Sequence, residues 1–307
     1  MLRKSIVLGL MILLFLLPGC SKQQEEVDSA RLTVYASFYP LYDFTKKIGG
    51  EHVNVINLVP AGANVHEWEP GPQTVASLLE ADLLIVNGLG MEPWLPKLQD
   101  TIAAAVPIVD TSTGITPLYQ NHNHQHATAS YFKIPDPHIW LDPHYALRQA
   151  ENIAAALIKL DPQNQDDYRN NLTVFAQKIE ELDRYFRESL KKTKRREFVV
   201  THLAFNYLAE RYHLKQISLS GLNPQAEPGA AQMAELEDFM REHQIRYIFQ
   251  DPFTEKRLAQ SLAADVNATI LTLNPLASLT EEEEAAGEDY FSLMRKNMEA
   301  LIKALQE

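Results

Sequence analysis

The amino-acid sequence predicts an α/β fold of two lobes, each a parallel β-sheet flanked by helices, joined by one long linking helix. Three observations carry this. Apolar runs of strand length alternate with segments of helix length, the pattern of parallel sheets covered on both faces. The alternation comes as two separate series, one from Leu32 to Asp110 and another from Phe198 to Leu273. Between them lies an unbroken apolar stripe at helical spacing.

In the first series Leu32 to Ser37 reads as a strand, and Tyr39 to Ile48 as a helix stopped by Gly49 and Gly50. Val53 to Val59 is a second strand, ending in Pro60, Ala61 and Gly62. Pro72 to Ala81 is a helix, Leu83 to Asn87 a buried strand and Pro107 to Asp110 another. In the second series the strands are Phe198 to Val200, Ile217 to Leu219, Tyr247 to Phe249 and Thr269 to Leu273. Helices over Ala204–Tyr212, Ala230–His243, Thr254–Val266 and Tyr290–Leu305 separate or follow them.

The bridge opens on Asp161-Pro162, a helix cap followed by proline at the first helical position. Tyr168, Leu172, Phe175, Ile179, Leu182, Phe186 and Leu190 then recur at spacings of four and three. That pattern predicts one helix from Pro162 to Lys192, ~45 Å long at 1.5 Å per residue. Packed along both lobes, rather than projecting as a coiled-coil arm, such a helix resists wide hinge bending. The expected organisation is a leader over 1–19, a polar tether over 20–30, an N-terminal lobe over 31–160, the linking helix over 161–192 and a C-terminal lobe over 193–307.

The leader begins with Arg3 and Lys4 and continues in an apolar run from Ile6 to Leu17, too short to span a bilayer comfortably. It reads as a signal peptide. Cys20, directly after it, is the sole cysteine, which excludes an intramolecular disulfide and any multi-cysteine zinc site. The Leu17-Pro18-Gly19-Cys20 string resembles a bacterial lipoprotein cleavage box, although Pro18 is less usual there than a small residue. Lipidated Cys20 would hold the chain to the outer face of the cell membrane, at ~0.8 kcal/mol per buried methylene. The alternative is a secreted protein with a free thiol. The 40 acidic residues exceed the 28 basic ones, and no basic patch with interleaved aromatics occurs, so nucleic acid is not an expected partner.

Of the ten histidines, His52, His213 and His243 fall beside turns or helix ends among charged residues and read as solvated. Three others stand apart. His66 lies in GANVHEWEP just beyond a strand, and His202 follows Phe198 to Thr201 at the carboxyl end of another. His138 lies in DPHIWLDPH. Ligands of open parallel sheets sit outside the carboxyl ends of strands. Each histidine taken singly is explained by burial with a hydrogen bond; the three together, on two facing lobes, form a candidate metal cage between the lobes.

The strings VHEWEP, DPHIWLDP, FVVTHLAFNYLAERY and LNPQAEPG resemble the signature segments of metal-specific solute-binding proteins of bacterial ABC importers. The match is to the zinc-binding branch of a family that also includes manganese binders and adhesin-like lipoproteins, and it runs over the whole mature chain. It implies an ion bound between two α/β lobes by His66, His138 and His202, an ABC permease as partner, and a monomer. Manganese-binding relatives tend to carry a carboxylate at the position of His202; three neutral imidazoles favour zinc over manganese. Zinc-binding members often carry a His-rich loop before His138, present here in short form as His122, His124 and His126. Its expected role is weak, auxiliary collection of zinc. The departure is at the fourth ligand. Relatives often supply an acid after the final strand, where this chain has Asn274 and Ala277, and Glu281 to Glu284 read as a solvated helix start. The fourth position then falls to water or to Glu67.

Two rival functions follow from the same residues. Three histidines plus water also describe a zinc-dependent hydrolase. His66-Glu67 matches the first two letters of HExxH, but that helix needs a second histidine where this chain has Pro70. No nucleophile elbow, P-loop or dinucleotide fingerprint occurs either, so no enzyme is expected. The other rival is an adhesin-like lipoprotein whose metal is structural, which would be unfolded without it.

Overall fold

Two four-stranded, all-parallel sheets share one strand order. The computed structural model describes residues 31–121, 133–222 and 229–307. The first sheet holds β1 (Leu32–Ala36), β2 (Val53–Asn57), β3 (Leu83–Val86) and β4 (Ile108–Asp110) in the order β2-β1-β3-β4. Between β4 and the rest of the chain, β5 (Tyr119–Asn121) and β6 (Lys133–Pro135) pair as an antiparallel hairpin. The second sheet holds β7 (Glu197–Val200), β8 (Lys215–Ser218), β9 (Tyr247–Gln250) and β10 (Thr269–Thr272) in the order β10-β9-β7-β8. Numbered within its own lobe, each sheet runs 2-1-3-4. The chain therefore changes direction between β1 and β3 in one sheet and between β7 and β9 in the other. Crevices form at the carboxyl ends of such strand pairs.

The four residues of β3 are all buried, as expected of a strand covered on both faces. Helices α1 (Tyr39–Gly49), α2 (Pro72–Leu78) and α3 (Leu95–Ala103) accompany the first sheet. After the hairpin, α4 (Pro143–Leu160) starts on Asp142, whose side chain accepts the backbone N–H of His144, with Pro143 at the first helical position. The long helix is α5 (Gln165–Leu190), and α6 (Asn206–Arg211), α7 (Ala230–Glu242), α8 (Lys256–Val266), α9 (Glu281–Ala285) and α10 (Tyr290–Gln306) belong to the second lobe.

The linking helix is shorter than the expected Pro162–Lys192. Residues Pro162–Asn164 form a 3₁₀ turn, and the α-helix proper has 26 residues, ~39 Å at 1.5 Å per residue. The Asp161 side chain does not cap the first turn. Its Oδ2 accepts from Asn164 Nδ2 and Tyr168 OH instead, both at 2.7 Å. The stripe is as the sequence implies: Tyr168, Phe175, Ile179, Leu182, Phe186 and Leu190 are buried and Leu172 partly so. With α1, α4 and α10 packed against it, α5 lies in a single apolar core that also takes Ile85 of the first sheet and Phe198 and Phe249 of the second. Smaller clusters fill the outer faces of the two sheets. Among the described residues no helix is long and apolar enough to cross a membrane. Cys20 with its leader and tether lies outside the described residues, as do His122, His124 and His126.

Candidate metal centre

His66, His138 and His202 converge. Each presents one ring nitrogen, and these atoms all lie within 4.8 Å of one another. The ring centroids are 5.3 Å apart for His66–His138, 5.5 Å for His66–His202 and 5.0 Å for His138–His202. Three imidazoles this close have the spacing that one small cation can bridge.

Each ring is placed by different local structure. His66 rides the loop between β2 and α2. Asn64 forms an Asx turn there, its Oδ1 accepting from His66 N at 3.1 Å while its backbone carbonyl accepts from Trp68 N. Gly62, at φ +76°, makes the preceding turn and donates its N–H to Ser278 Oγ of the second lobe at 2.9 Å. His138 follows β6 and is fully buried. Asp136 Oδ1 accepts both from His138 N (3.0 Å) and from its Nδ1 (2.8 Å), which assigns the ring hydrogen to Nδ1 and leaves Nε2 as a lone pair. Asp136 is itself held from the other lobe, by Asn206 Nδ2 at 2.8 Å, and its carbonyl accepts from Tyr207 OH at 2.7 Å. His202 stands at the end of β7, where the second sheet changes direction. Its Nδ1 faces Asp251 Oδ2 at 2.9 Å, and Asp251 sits at the end of the neighbouring β9. Its Nε2 lies 3.0 Å from the carbonyl of Leu222, a contact that a metal on Nε2 must displace.

A metal fits these donors on the unpartnered atoms. His66 Nε2 and His138 Nε2 are both buried without a hydrogen-bond partner, an arrangement that costs stability unless a ligand completes it. The environment also favours the neutral form of His66 and His138, the form that binds metal. Burial, then the neighbouring imidazoles of His138 and His202, hold His66 well below the ordinary imidazole range. Burial likewise lowers His138, against the opposing pull of Asp136.

The remaining expectations about the site resolve differently. Glu67 is exposed and is not among the converging groups. Asn274 is buried but committed to its own loop: Nδ2 donates to both oxygens of Glu283, at 2.8 and 3.0 Å, and Oδ1 accepts from Leu276 N. An acid at 274 would therefore oppose Glu283 rather than reach toward the histidines. Glu283 is in turn not a solvated helix-start residue; with Thr280 it forms the capping box of α9. Ala277, by contrast, is buried and lines the cavity beside His66 and His202. Two residues escaped the sequence reading, Asp136 and Asp251. Asp136 was visible in the DPH string, whereas the Asp251–His202 pair spans 49 positions and appears only once β7 and β9 lie side by side.

The family model for the zinc-uptake complex component A, periplasmic, matches residues 34–304. The chain belongs to that family. It is 37% identical over 302 residues to the zinc-binding lipoprotein AdcA of Streptococcus pneumoniae, covering 97% of this chain but only 60% of that relative. It is 34% identical over 295 residues to the high-affinity zinc uptake system protein ZnuA of Bacillus subtilis, covering 94% of this chain and 92% of that one. Among solved structures, the Zn(II)-bound ZnuA-like domain of S. pneumoniae AdcA superposes with a TM-score of 0.78 at 36% identity, over 90% of this chain and all of that domain. The laminin-binding protein of Streptococcus agalactiae, described as bifunctional with adhesin and metal transporting activity, gives 0.80 at 31% identity, over 90% and 99% of the two chains. The zinc-uptake family thus shares the two-lobed, long-helix architecture described above.

Proposed function

We propose that this protein captures a single zinc ion outside the cytoplasm and delivers it to an ABC-type import permease, with His66, His138 and His202 as protein ligands. One observation carries the reading: three imidazoles drawn from both lobes meet with two of their buried Nε2 atoms unpartnered. The donor type supports zinc over manganese, since neutral nitrogen donors suit a borderline ion better than a hard one. Zinc is the cargo, and the protein's work is to bind and release it.

Charge supports the same reading and accounts for the missing fourth acid. Asp136 and Asp251 stand directly behind two of the ligand rings. Carboxylates in such positions orient the ring, raise its basicity and balance the ion's charge. Two of them match a dication, so the site has no electrostatic need for a third at 277. Both are already held by imidazole, which leaves neither as a base to activate water, and the protein is a carrier rather than a hydrolase. We take residues 31–160 and 193–307 as the two lobes on either side of the linking segment, and Cys20 as the lipid-bearing residue that keeps them at the outer membrane face.

The test is a chelator-competition titration of protein purified without a histidine tag. Wild type is expected to take up one zinc tightly per chain. His202→Ala is expected to lose more than the 10–100-fold typical of losing a partner behind a ligand. Unchanged affinity in His202→Ala would refute the cage.

A further inference from the structure

One buried carboxylate stands outside the three-histidine cluster. Glu92 follows β3, where the first sheet changes direction between β1 and β3. Its Oε1 accepts from Ser37 Oγ, just past β1, at 2.6 Å and from Asn87 N at 2.7 Å, and its Oε2 accepts from Gly88 N at 3.1 Å. The loop so gathered is tightly wound: Gly88, Leu89 and Gly90 have φ of +82°, +56° and +82°, a region that a leucine rarely adopts. Leu89 packs there with Ile115, Ile139 and, from the second lobe, Tyr207. Asn87, fully buried, carries the position of this loop toward the histidines: its Nδ2 donates to the Pro137 carbonyl at 2.9 Å, and its Oδ1 accepts from Gln149 Nε2 at 3.0 Å. The Pro137 carbonyl and the His138 N–H are the two ends of one planar peptide. Asn87 holds one end and Asp136 Oδ1 the other, so the backbone that carries the His138 ring is set from both sides.

We propose that Glu92 is a positioning residue for His138, acting through Asn87 and Pro137, and that zinc is captured tightly only while Glu92 is ionised. The inference rests on the three-histidine reading and goes beyond it. Bonds to an ionised carboxylate are charge-assisted, roughly twice as strong as those to a neutral acid. A proton on Glu92 therefore loosens its hold on Asn87 and Gly88 together. The surroundings bring that proton within reach of ordinary pH. Burial pushes Glu92 up to about 7, the bonds from Ser37, Asn87 and Gly88 oppose the rise, and the Asp110 carboxylate at the end of β4 adds to it. From α4 the neighbour, beyond Asn87, is the neutral Gln149, while Arg148 is turned to Thr113 and Glu151. Since capture needs the carboxylate, binding near neutrality expels a proton from Glu92.

The experiment is chelator competition for zinc on the full, tag-free protein at about pH 8 and about pH 6, with wild type and Glu92→Gln compared at each. Glutamine keeps the shape and one acceptor oxygen but no charge, the condition that a proton creates. The comparison at one pH cancels the titration of the histidines themselves. Glu92→Gln is expected to bind roughly tenfold more weakly than wild type at pH 8 and about equally at pH 6, where wild type has lost its own carboxylate. Equal affinities at pH 8, or a deficit of the same size at both, would overturn the proposal and leave the three-histidine site standing. Should Glu92→Gln fail to fold, Ser37→Ala decides. It keeps the acid, removes one donor that favours the ionised form, and so raises Glu92 further. Its deficit against wild type is expected to be larger at about pH 7 than at about pH 8, and a deficit independent of pH would overturn the proposal. Wild type that takes up no zinc at pH 8 would overturn the metal site, and this proposal with it.

Discussion

Asp251 illustrates what a residue can contribute through another, since it stands behind the His202 ring at 2.9 Å. Asp251 accepts from His202 Nδ1, and is fixed by Thr201 Oγ1, which accepts from Asp251 N at 3.0 Å, and by Phe253 N, which donates to Oδ1 at 2.9 Å. Asp251→Asn is expected to leave zinc stoichiometry at one per chain and weaken affinity ~10–100-fold, measured by competition with a chelator. A change below that range would mean the ring is oriented without it. Titration behaviour gives a second test. His66 and His138 are held below the ordinary imidazole value of about 6.5. In the unfolded chain both take up protons near 6.5, and in the native chain only at lower pH. The metal-free protein therefore keeps its full stability above about pH 6.5 and loses it as pH falls toward the native values. Denaturant midpoints of metal-free protein should drop across that window, and His66→Gln should make the drop shallower. Zinc affinity should hold to a lower pH than free imidazole would allow, then fall steeply as several protons compete. At this scale the three histidines that the sequence singled out, each in a short distinctive string, are ones the fold brings together. The sequence could not mark Asp251, whose partner is distant in the chain, nor show that the Asn274 side chain turns to Glu283.

The long helix shows how much an element can reveal on its own. Its spacing of apolar residues identified the buried face correctly, since a 3.6-residue period leaves few alternatives over seven positions. Its start was less legible: Asp161-Pro162 reads as a cap in sequence, but Asp161 spends its side chain on Asn164 and Tyr168. The same Asp-Pro signal at Asp142-Pro143, inside the DPHIWLDPH string, does open a helix, α4, which the sequence reading passed over. The β5–β6 hairpin was missed for a different reason. Its strands are three residues each and carry no alternation long enough to register. Phe186 tests the packing role of α5. It is fully buried, in edge contact with Tyr212 at 5.4 Å, in the core common to both lobes. Phe186→Ala is expected to cost about 3–5 kcal/mol in urea denaturation. A loss under about 1 kcal/mol, the size of an ordinary surface change, would show that the helix does not brace the core.

Across the whole molecule, the two lobes are joined by more than a linker. They share a core, and polar bridges cross between them close to the histidines: Trp140 Nε1 donates to the Pro275 carbonyl at 2.7 Å, and Tyr290 OH to the Trp140 carbonyl at 2.8 Å. Trp140 also packs 5.2 Å from the His138 ring, so the inter-lobe seam and the candidate site are built from the same residues. The three histidines, drawn from both sides of that seam, are thus held in place by folding itself. The claim that ties these scales together is that one zinc ion is bound by imidazoles from both lobes. X-ray absorption at the zinc edge, on tag-free protein carrying one equivalent of zinc, tests it most directly. The expected spectrum has three imidazole nitrogens at about 2.0–2.1 Å, completed by one oxygen. A shell with fewer than three imidazoles, or one dominated by carboxylate oxygen, would contradict it.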